Sequence, residues 1–186
     1  STDPYAAEVI ARIFDDARDL IDGANVVPER MIMQLLFPEG GDCGITITAN
    51  GVDYTYDYDP GDVWKTNNYT ALTTTSLWTA PTTADPFAAF KTVKDAIRSK
   101  TGDELTIAIM NTYTFNLMTA TDAVKNRYLT TNGLSLGYLT DTEVKSIVEA
   151  TSGLRIAIYD KQYKDESGVA HSFVPDGYVC LIPAGN

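Results

Sequence analysis

The segment ITITANGVDYTYDYD, residues 45–59, constrains the fold more than any other stretch of this sequence. Its centre is an Asn-Gly pair at 50–51, the pair preferred in two-residue hairpin turns because both central residues need a positive φ. Side chains alternate across a strand, so the apolar ones fall on one face and the threonines on the other. The predicted cross-strand pairs are Ala49 with Val52, Ile47 with Tyr54, and Ile45 with Tyr56. The segment therefore predicts a half-buried antiparallel hairpin.

The rest of the chain mixes helical and strand-like patterns in irregular order. Apolar residues recur at helical spacing from Ala6 to Leu36, which predicts one long helix, kinked or broken near Pro28. Residues 60–84 are rich in Thr, Asn, Pro and Gly and predict a long loop between two subdomains. Later helices are predicted from Asp85 to Gly102, in short pieces up to Leu129, and from Thr140 to Gly153; strands are predicted at ELTIAIM, LRIAIYD and YVCLIP. Without regular βαβ alternation, this order predicts an α+β fold.

Composition excludes several classes of function. The net charge is −11 with only 14 basic residues, which argues against sequence-specific nucleic-acid binding. The densest basic group is interpreted as a solvated helix face and consists of Lys91, Lys94, Arg98 and Lys100. No apolar run approaches the ~18 residues of a membrane helix, and no signal peptide is recognisable. Cys43 and Cys180 lie far apart without a CxxC motif and are predicted to be free thiols.

The segment GVAHSFVPDGYVCLIP contains the only histidine, His171. A single histidine excludes a histidine-based metal cluster. As a general base it would need an orienting partner and a nucleophile, and Asp176 and Ser172 are merely near it in sequence. The favoured interpretation is a histidine on a surface hairpin, so no catalytic residue is predicted.

The acidic run at Asp57, Asp59 and Asp62 resembles a calcium loop at first sight. It fails the EF-hand pattern because Gly61 comes one place early and Asn68 stands where the bidentate glutamate belongs. The carboxylates are therefore interpreted as solvated turn residues. Neither a phosphate-binding glycine loop nor a G-x-S-x-G motif occurs, so no cofactor, metal or enzyme activity is predicted.

Eleven tyrosines leave a different function open. Tyr54, Tyr56 and Tyr58 on one hairpin face could form a stacking platform, although core or interface packing is the favoured interpretation. Two alternatives follow: a module that binds a carbohydrate or peptide through the Tyr- and Trp-rich region 51–78, and a calcium-assisted hydrolase built on the aspartates.

The stretch from Gly153 to Pro183 resembles the late segment of the lambda-type major capsid proteins of tailed bacteriophages, the major capsid protein E family. The shared pattern is a strand with YD, a Y-x-D-x-x-G hairpin, a PDG turn and a strand that ends in proline. In this chain its elements are Tyr159-Asp160, Tyr163 with Asp165 and Gly168, Phe173, Pro175-Asp176-Gly177, and Leu181 to Pro183. Earlier segments resemble the family in the same order, namely the helix carrying Glu29, the strand GVDYTYDYD, and Trp78 with the Asp85-Pro86 helix.

The resemblance implies the phage major capsid fold of the Hong Kong 97 type. That fold has a long spine helix, a peripheral-domain hairpin, and an axial-domain sheet with flanking helices. Residues 1–62 would form the spine helix and hairpin, and residues 63–186 the axial domain, with a strand returning toward the peripheral domain. The chain would then be a fragment that lacks the N-terminal arm and the extended loop of the family.

The resemblance also implies a structural function, that of a capsid (head) subunit which self-assembles into an icosahedral shell around phage DNA. Its partners would be other copies of itself in pentamers and hexamers, with scaffolding, portal or decoration proteins as further candidates. The packaged DNA would be enclosed without sequence-specific contacts, and no membrane would be involved. The expected location is the virion capsid, assembled in the cytoplasm of the bacterial host.

Overall fold

The computed structural model describes residues 26–132, 140–165 and 167–184. Helix α1 covers 26–36 and is helical through Pro28, while the predicted helical segment from Ala6 to Gly23 lies outside the described residues. The other helices are α2 (Val63–Asn68), α3 (Pro86–Thr101), α4 (Thr112–Thr119), α5 (Asp122–Asn132) and α6 (Asp141–Ser152). The strands are β1 (Gly44–Ala49), β2 (Val52–Asp57), β3 (Leu105–Met110), β4 (Arg155–Ile158), β5 (Gln162–Lys164), β6 (Ala170–Ser172) and β7 (Cys180–Pro183).

A three-stranded sheet in the order β4-β3-β7 forms the centre of the larger lobe. β3 runs parallel to β4 and antiparallel to β7. A parallel neighbour needs a long crossover connection, and α4, α5 and α6 supply it. Two separate antiparallel ribbons, β1-β2 and β5-β6, complete the strands of the described chain. The predicted α+β class is confirmed.

The apolar core lies between this sheet and the helices α3 to α6. Met110 from β3 and Ile156 from β4 are almost completely buried among helix residues. The other buried members of the cluster are Phe90, Ala108, Phe115, Met118, Val124, Tyr128, Val148 and Leu154. All of them come from residues 90–156, so α1 and the β1-β2 hairpin contribute nothing to this core.

The predicted helix ends in this lobe are confirmed by their caps. The Asp85 carboxylate accepts a hydrogen bond from the Ala88 amide at 3.1 Å and starts α3, which ends at Gly102 with a φ of 80°. Thr140 and Glu143 form a reciprocal capping box at the start of α6. These signals are local in sequence, which is why the sequence predicts them correctly.

The prediction of one long loop over residues 60–84 is wrong in part. The segment contains α2 and a short 3₁₀ turn over Thr74–Ser76. The Asp59 carboxylate accepts hydrogen bonds from the amides of Trp64 and Lys65 and so caps the first turn of α2. Because α2 has no apolar periodicity, the sequence pattern gave no sign of it.

The β1-β2 hairpin has the predicted turn and the predicted register. Asn50 and Gly51 both have positive φ, 52° and 73°, as a type I′ turn requires. The pairs of the register are Ala49 with Val52, Ile47 with Tyr54, and Ile45 with Tyr56. The expected half-burial, however, holds for β1, where Ile45 is 3% exposed, and is wrong for β2, which is exposed along its whole length. No apolar face of the described elements covers that strand.

Removing the hydroxyl of Tyr128 is expected to leave the fold unchanged or to make it more stable. The side chain is buried, and its hydroxyl has no hydrogen-bond partner among the described residues. Burial raises the pKa of this phenol, so the group is neutral and unpaired. An unpaired buried polar group costs about 1–3 kcal/mol, which Tyr128→Phe removes. Thermal unfolding of the two proteins checks this, and a clear loss of stability in the variant would show that the hydroxyl is bonded in solution.

Candidate functional site

A polar junction at the carboxyl end of β3 joins three parts of the chain. Asn111 is 5% exposed, and its carbonyl oxygen accepts hydrogen bonds from the Thr114 amide at 2.9 Å and the Thr114 hydroxyl at 2.8 Å. Its side-chain amide donates to the carbonyl of Val174 at 3.2 Å and to the carboxylate of Asp176 at 2.6 Å. Asn111 therefore caps α4 and fastens the PDG turn to it.

The PDG turn is held from a second side. The Gly177 amide donates to the Thr114 hydroxyl at 2.8 Å, and Gly177 has a φ of 80° that favours glycine. The Asp176 carboxylate thus accepts a hydrogen bond from Asn111, whereas the hydrogen-bond partner of His171 is Asp165. The sequence predicted the turn; it gave no indication that Asn111 and Thr114 would hold it.

Asp160, the aspartate of the YD motif, binds the first turn of the same helix. One carboxylate oxygen accepts from the Thr112 amide at 2.7 Å and the other from the Thr112 hydroxyl at 2.5 Å. These two hydrogen bonds, the hydroxyl's first, lower the pKa of Asp160. A carboxylate at a helix N-terminus also interacts favourably with the helix dipole. The motif thus ties the end of β4 to the start of α4.

Replacing Asp160 with asparagine is expected to cost about 0.3–1 kcal/mol of stability at neutral pH, because the helix N-terminus loses its negative partner. The folded-state pKa lies below the ordinary value of 3.8, so the contribution is present above that value and disappears as pH falls through the folded-state pKa. Urea unfolding of Asp160→Asn and the unchanged protein at pH 7 and near pH 3 tests this. The surface variant Asp103→Asn is the control, and a stability difference for Asp160→Asn that does not shrink in acid would contradict the assignment.

Helix α1 is fastened by charged and aromatic contacts to strand β5 and to the connection that precedes it. The Glu29 carboxylate accepts hydrogen bonds from the Tyr159 hydroxyl and the Lys161 ammonium, and both lower its pKa, Lys161 more strongly. Burial and then the Glu29 hydrogen bond raise the pKa of Tyr159 to about 12. The Arg30 guanidinium lies 5.0 Å from the centre of the Tyr163 ring, a cation–π distance.

His171 lies on exposed strand β6, as the surface-hairpin interpretation has it. Its Nε2 is 2.8 Å from the Asp165 carboxylate, and its ring stacks on Tyr163 at 5.4 Å. Asp165 also accepts from the amides of Ser167 and Val169, both at 2.9 Å, and so organises the loop between β5 and β6. Ser172 follows His171 in an extended strand and therefore points to the opposite face. The side chains of His171, Asp176 and Ser172 therefore do not form a common site.

Two of the three carboxylates in the calcium-like run, those of Asp57 and Asp59, accept local backbone hydrogen bonds. Asp57 accepts from the Asp59 amide at 2.8 Å, and Asp59 caps α2, whose backbone hydrogen bonds lower the pKa of its carboxyl. Asp62 precedes α2 in a left-handed conformation. Within residues 26–132, 140–165 and 167–184, no group of three or more His, Cys, Asp or Glu side chains could hold a metal ion.

The tyrosines and Trp78 of region 51–78 lie in different environments. Tyr54, Tyr56 and Tyr58 are exposed on and just after β2. Trp78 instead packs edge-on against Phe90 of the main core, with ring centres 5.6 Å apart. Trp78 therefore belongs with the core, whereas the three tyrosines form an exposed group on the hairpin.

The basic side chains of α3 differ in their role. Some are solvated, and others bind neighbouring parts of the fold. Lys91 is largely exposed, as predicted, but the side chain of Lys94 is only 14% exposed. Its ammonium donates to the Ser152 carbonyl at 3.0 Å and so binds the carboxyl end of α6. Arg98 makes a two-point ion pair with Glu104. These contacts pack α3 against its neighbours and leave little of the charge for a polyanion.

Both cysteines are free thiols, in agreement with the sequence prediction. Cys180 lies in β7, and burial raises its pKa to about 11, which keeps the thiol neutral and unreactive at physiological pH. Cys43 lies just before β1. Among the helices described, none has both the length and the apolar character needed to cross a bilayer.

The sequence matches the family model described as phage major capsid protein E over residues 4–186. The chain belongs to the phage major capsid protein E family. Membership confirms the resemblance to the lambda-type capsid proteins and assigns the chain a structural role in the phage capsid. The YD, hairpin and PDG motifs, which the structure places around α4 and the β5-β6 ribbon, are therefore elements of a capsid protein.

One solved structure similar to this chain is a phage-related protein from Bordetella bronchiseptica RB50. It shares 15% sequence identity and superimposes with a TM-score of 0.49 over 64% of this chain. The aligned region is 35% of that protein, so this chain corresponds to about a third of its length. No curated protein matches the chain significantly in sequence.

Proposed function

We propose that the chain belongs to a major capsid subunit, a structural protein that self-assembles into the icosahedral shell enclosing phage DNA. The observation that carries the proposal is the family match over residues 4–186. The polar side chains of the described structure support it, because those singled out by sequence hold turns, helix ends and the joint between α1 and the β5-β6 ribbon. A shell subunit needs a fixed outline, and these contacts supply one.

The proposed fold is the Hong Kong 97 type, with residues 1–62 as spine helix and peripheral hairpin and residues 63–186 as axial domain. Two observations support this division. The buried core cluster draws only on residues 90–156. Helix α1 instead contacts the later part of the chain through Glu29, which binds Tyr159 and Lys161 just before β5, and through Arg30 on Tyr163 of β5. In the proposed division, a strand of residues 63–186 returns toward the peripheral domain, and the contact of β5 with α1 supports such a return.

The proposed partners are other copies of the subunit, arranged in pentamers and hexamers, with scaffolding, portal and decoration proteins in addition. A net charge of −11 suits a shell that encloses DNA without binding it sequence-specifically, because an acidic protein repels the phosphate backbone. The proposed place of assembly is the cytoplasm of the bacterial host. Rings of subunits use contacts between two different faces, and closure of the shell lets each contact be weak.

Expression of the complete gene product that contains this chain tests the proposal. Sedimentation and electron microscopy of negatively stained material should show closed shells of uniform diameter, with and without the neighbouring genes of its locus. A small soluble species under every condition would overturn it. Thermal shifts with calcium and with a glycan panel give an independent readout, since a large shift would favour the binding-module alternative.

A further inference from the structure

The two edges of the β1-β2 hairpin differ in what covers them. In an antiparallel pair, hydrogen-bonded residue pairs alternate with pairs whose backbone groups point outward. The Tyr58 amide donates to the Cys43 carbonyl at 2.9 Å, which identifies the pair 43/58 as hydrogen-bonded. The backbone groups of the alternate pair, Thr46 and Thr55, therefore point away from the ribbon on its two sides.

The β1 edge is already occupied. Gln34 of α1 donates its side-chain amide to the Thr46 carbonyl at 3.2 Å and accepts from the Thr46 amide at 2.9 Å. The Gln34 side chain thus makes the two hydrogen bonds that a neighbouring strand would make to Thr46. The edge is therefore not free to pair with another strand at this position. The contact also confirms that the Thr46 backbone points outward.

The β2 edge is open in the described part of the chain. The outward backbone groups of Asp53, Thr55 and Asp57 bond to no described backbone. No proline, lysine or bulge protects this edge, and its charged side chains are those of Asp53 and Asp57. Beside this edge lies an apolar face of four side chains, each more than half exposed: Val52, Tyr54, Tyr56 and Tyr58. An open edge with an exposed aromatic face is suited to strand addition.

We propose that the β2 strands of two copies of this chain pair antiparallel about a two-fold axis, joining the two hairpins into one four-stranded sheet. The inference rests on the proposed shell function, because a shell built from rings needs contacts between rings as well as within them. A two-fold contact between identical surfaces can join subunits of neighbouring rings.

The charges of β2 select one register. When Tyr54 faces Tyr54 of the second copy, Asp53 lies opposite Thr55 and Asp57 opposite Gly51. Centring the pair on residue 55 would put Asp53 opposite Asp57, and centring it on residue 56 would put Asp53 opposite Asp59. Like charges directly opposite each other destabilise a sheet, so the first register is favoured. In it Val52 also meets Tyr56, an aromatic–aliphatic pair.

The area of the contact fits a lattice contact and not a free dimer. Each exposed tyrosine offers about half of the 150–250 Å² that an aromatic side chain can bury, so the four side chains offer at most roughly 400 Å² per copy. Pairing at the edge covers only their flanks, because side chains project from the face of a sheet. A stable complex buries about 800 Å² per partner. The contact is therefore weak alone and counts when many copies are held together, as in a shell.

A proline at position 55 tests the edge itself. Thr55 makes no ladder hydrogen bond within the hairpin, so Thr55→Pro removes the outward amide and leaves the β1-β2 ladder intact. It also removes the hydroxyl that contacts the Thr46 hydroxyl at 3.3 Å. The matched control is Thr48→Pro, which removes an outward amide on the β1 edge together with one cross-strand side-chain hydrogen bond, to Asp53. Shell yield is expected to fall about tenfold or more with Thr55→Pro and much less with Thr48→Pro. Equal yields from Thr55→Pro and the unchanged protein would overturn the proposal, and circular dichroism of the unassembled chains checks that both variants fold.

Disulfide trapping tests the register. Facing residues of a non-hydrogen-bonded antiparallel pair lie about 4.5 Å apart at Cα, within the range a disulfide spans. Tyr54→Cys should therefore form a disulfide-linked dimer joined through position 54, identified by mass spectrometry of the linked peptide. The control is Tyr113→Cys, since Tyr113 is 52% exposed on α4 and Tyr54 is 51% exposed. About tenfold more dimer from Tyr54→Cys is expected, and equal trapping would contradict the register.

The two proposals fail in different ways. If Thr55→Pro forms shells as well as the unchanged protein and no disulfide forms through position 54, the edge contact is wrong and the shell function is unaffected. If a disulfide forms through position 54 at high protein concentration but the protein never forms shells, the contact is supported and the shell function is wrong.

Discussion

Replacing Asn111 with alanine is expected to lower the free energy of unfolding by about 2–4 kcal/mol. The variant loses the N-cap hydrogen bond to the Thr114 amide, worth about 1 kcal/mol. It also leaves the buried Val174 carbonyl without this partner, at about 1–3 kcal/mol. For a chain of this size the loss corresponds to a melting temperature roughly 10 °C lower. Calorimetry or urea unfolding measures it directly.

Two further variants separate the parts of this effect. Asn116→Ala removes an exposed amide from the same helix and should change stability by less than about 0.5 kcal/mol. Asn111→Asp keeps the cap acceptor but places a second carboxylate against Asp176, so it should be destabilised at pH 7 and recover as the pH falls and one of the pair is protonated. If Asn111→Ala were no worse than Asn116→Ala, the junction would not hold the PDG turn.

Replacing Phe90 with alanine is expected to cost about 3–5 kcal/mol, the loss typical of a large aromatic side chain removed from a packed core. Phe90 is 4% exposed, joins α3 to the sheet and packs edge-on against Trp78. The variant leaves a cavity under Trp78 and exposes the indole, so tryptophan fluorescence should shift to longer wavelength together with the loss of stability.

Phe87 provides the matched comparison, because it lies on the same helix and is only partly buried. Phe87→Ala should cost clearly less than Phe90→Ala and leave the tryptophan emission nearly unchanged. Equal losses from the two variants would mean that the core is not centred where the structure places it.

The features that sequence predicted correctly depend on residues close together in the chain. The Asn50-Gly51 turn fixed the register of the hairpin, since a two-residue turn permits one pairing. The caps at Asp85 and Thr140 and the ends at Gly102 and Gly153 followed from the same kind of short-range chemistry.

The features that sequence missed depend on residues far apart in the chain. Asn111 meets Val174 and Asp176 across more than 60 residues, and no pattern around Asn111 points to them. His171 pairs with Asp165, on the far side of its own hairpin, and not with nearby Asp176. The exposure of β2 was mispredicted because alternation shows which side chains share a face and not whether anything covers that face.

The sequence by itself determined the turns, the helix ends, the α+β class and, through its ordered motifs, the capsid family. It could do so because each of these depends on the conformational preferences of a few neighbouring residues. Only the tertiary structure decided which strand edge stays open, which carboxylates are used as caps, and how α1 is held against the ribbon. Those depend on which distant surfaces meet, and burial and pairing are decided only when the chain is packed.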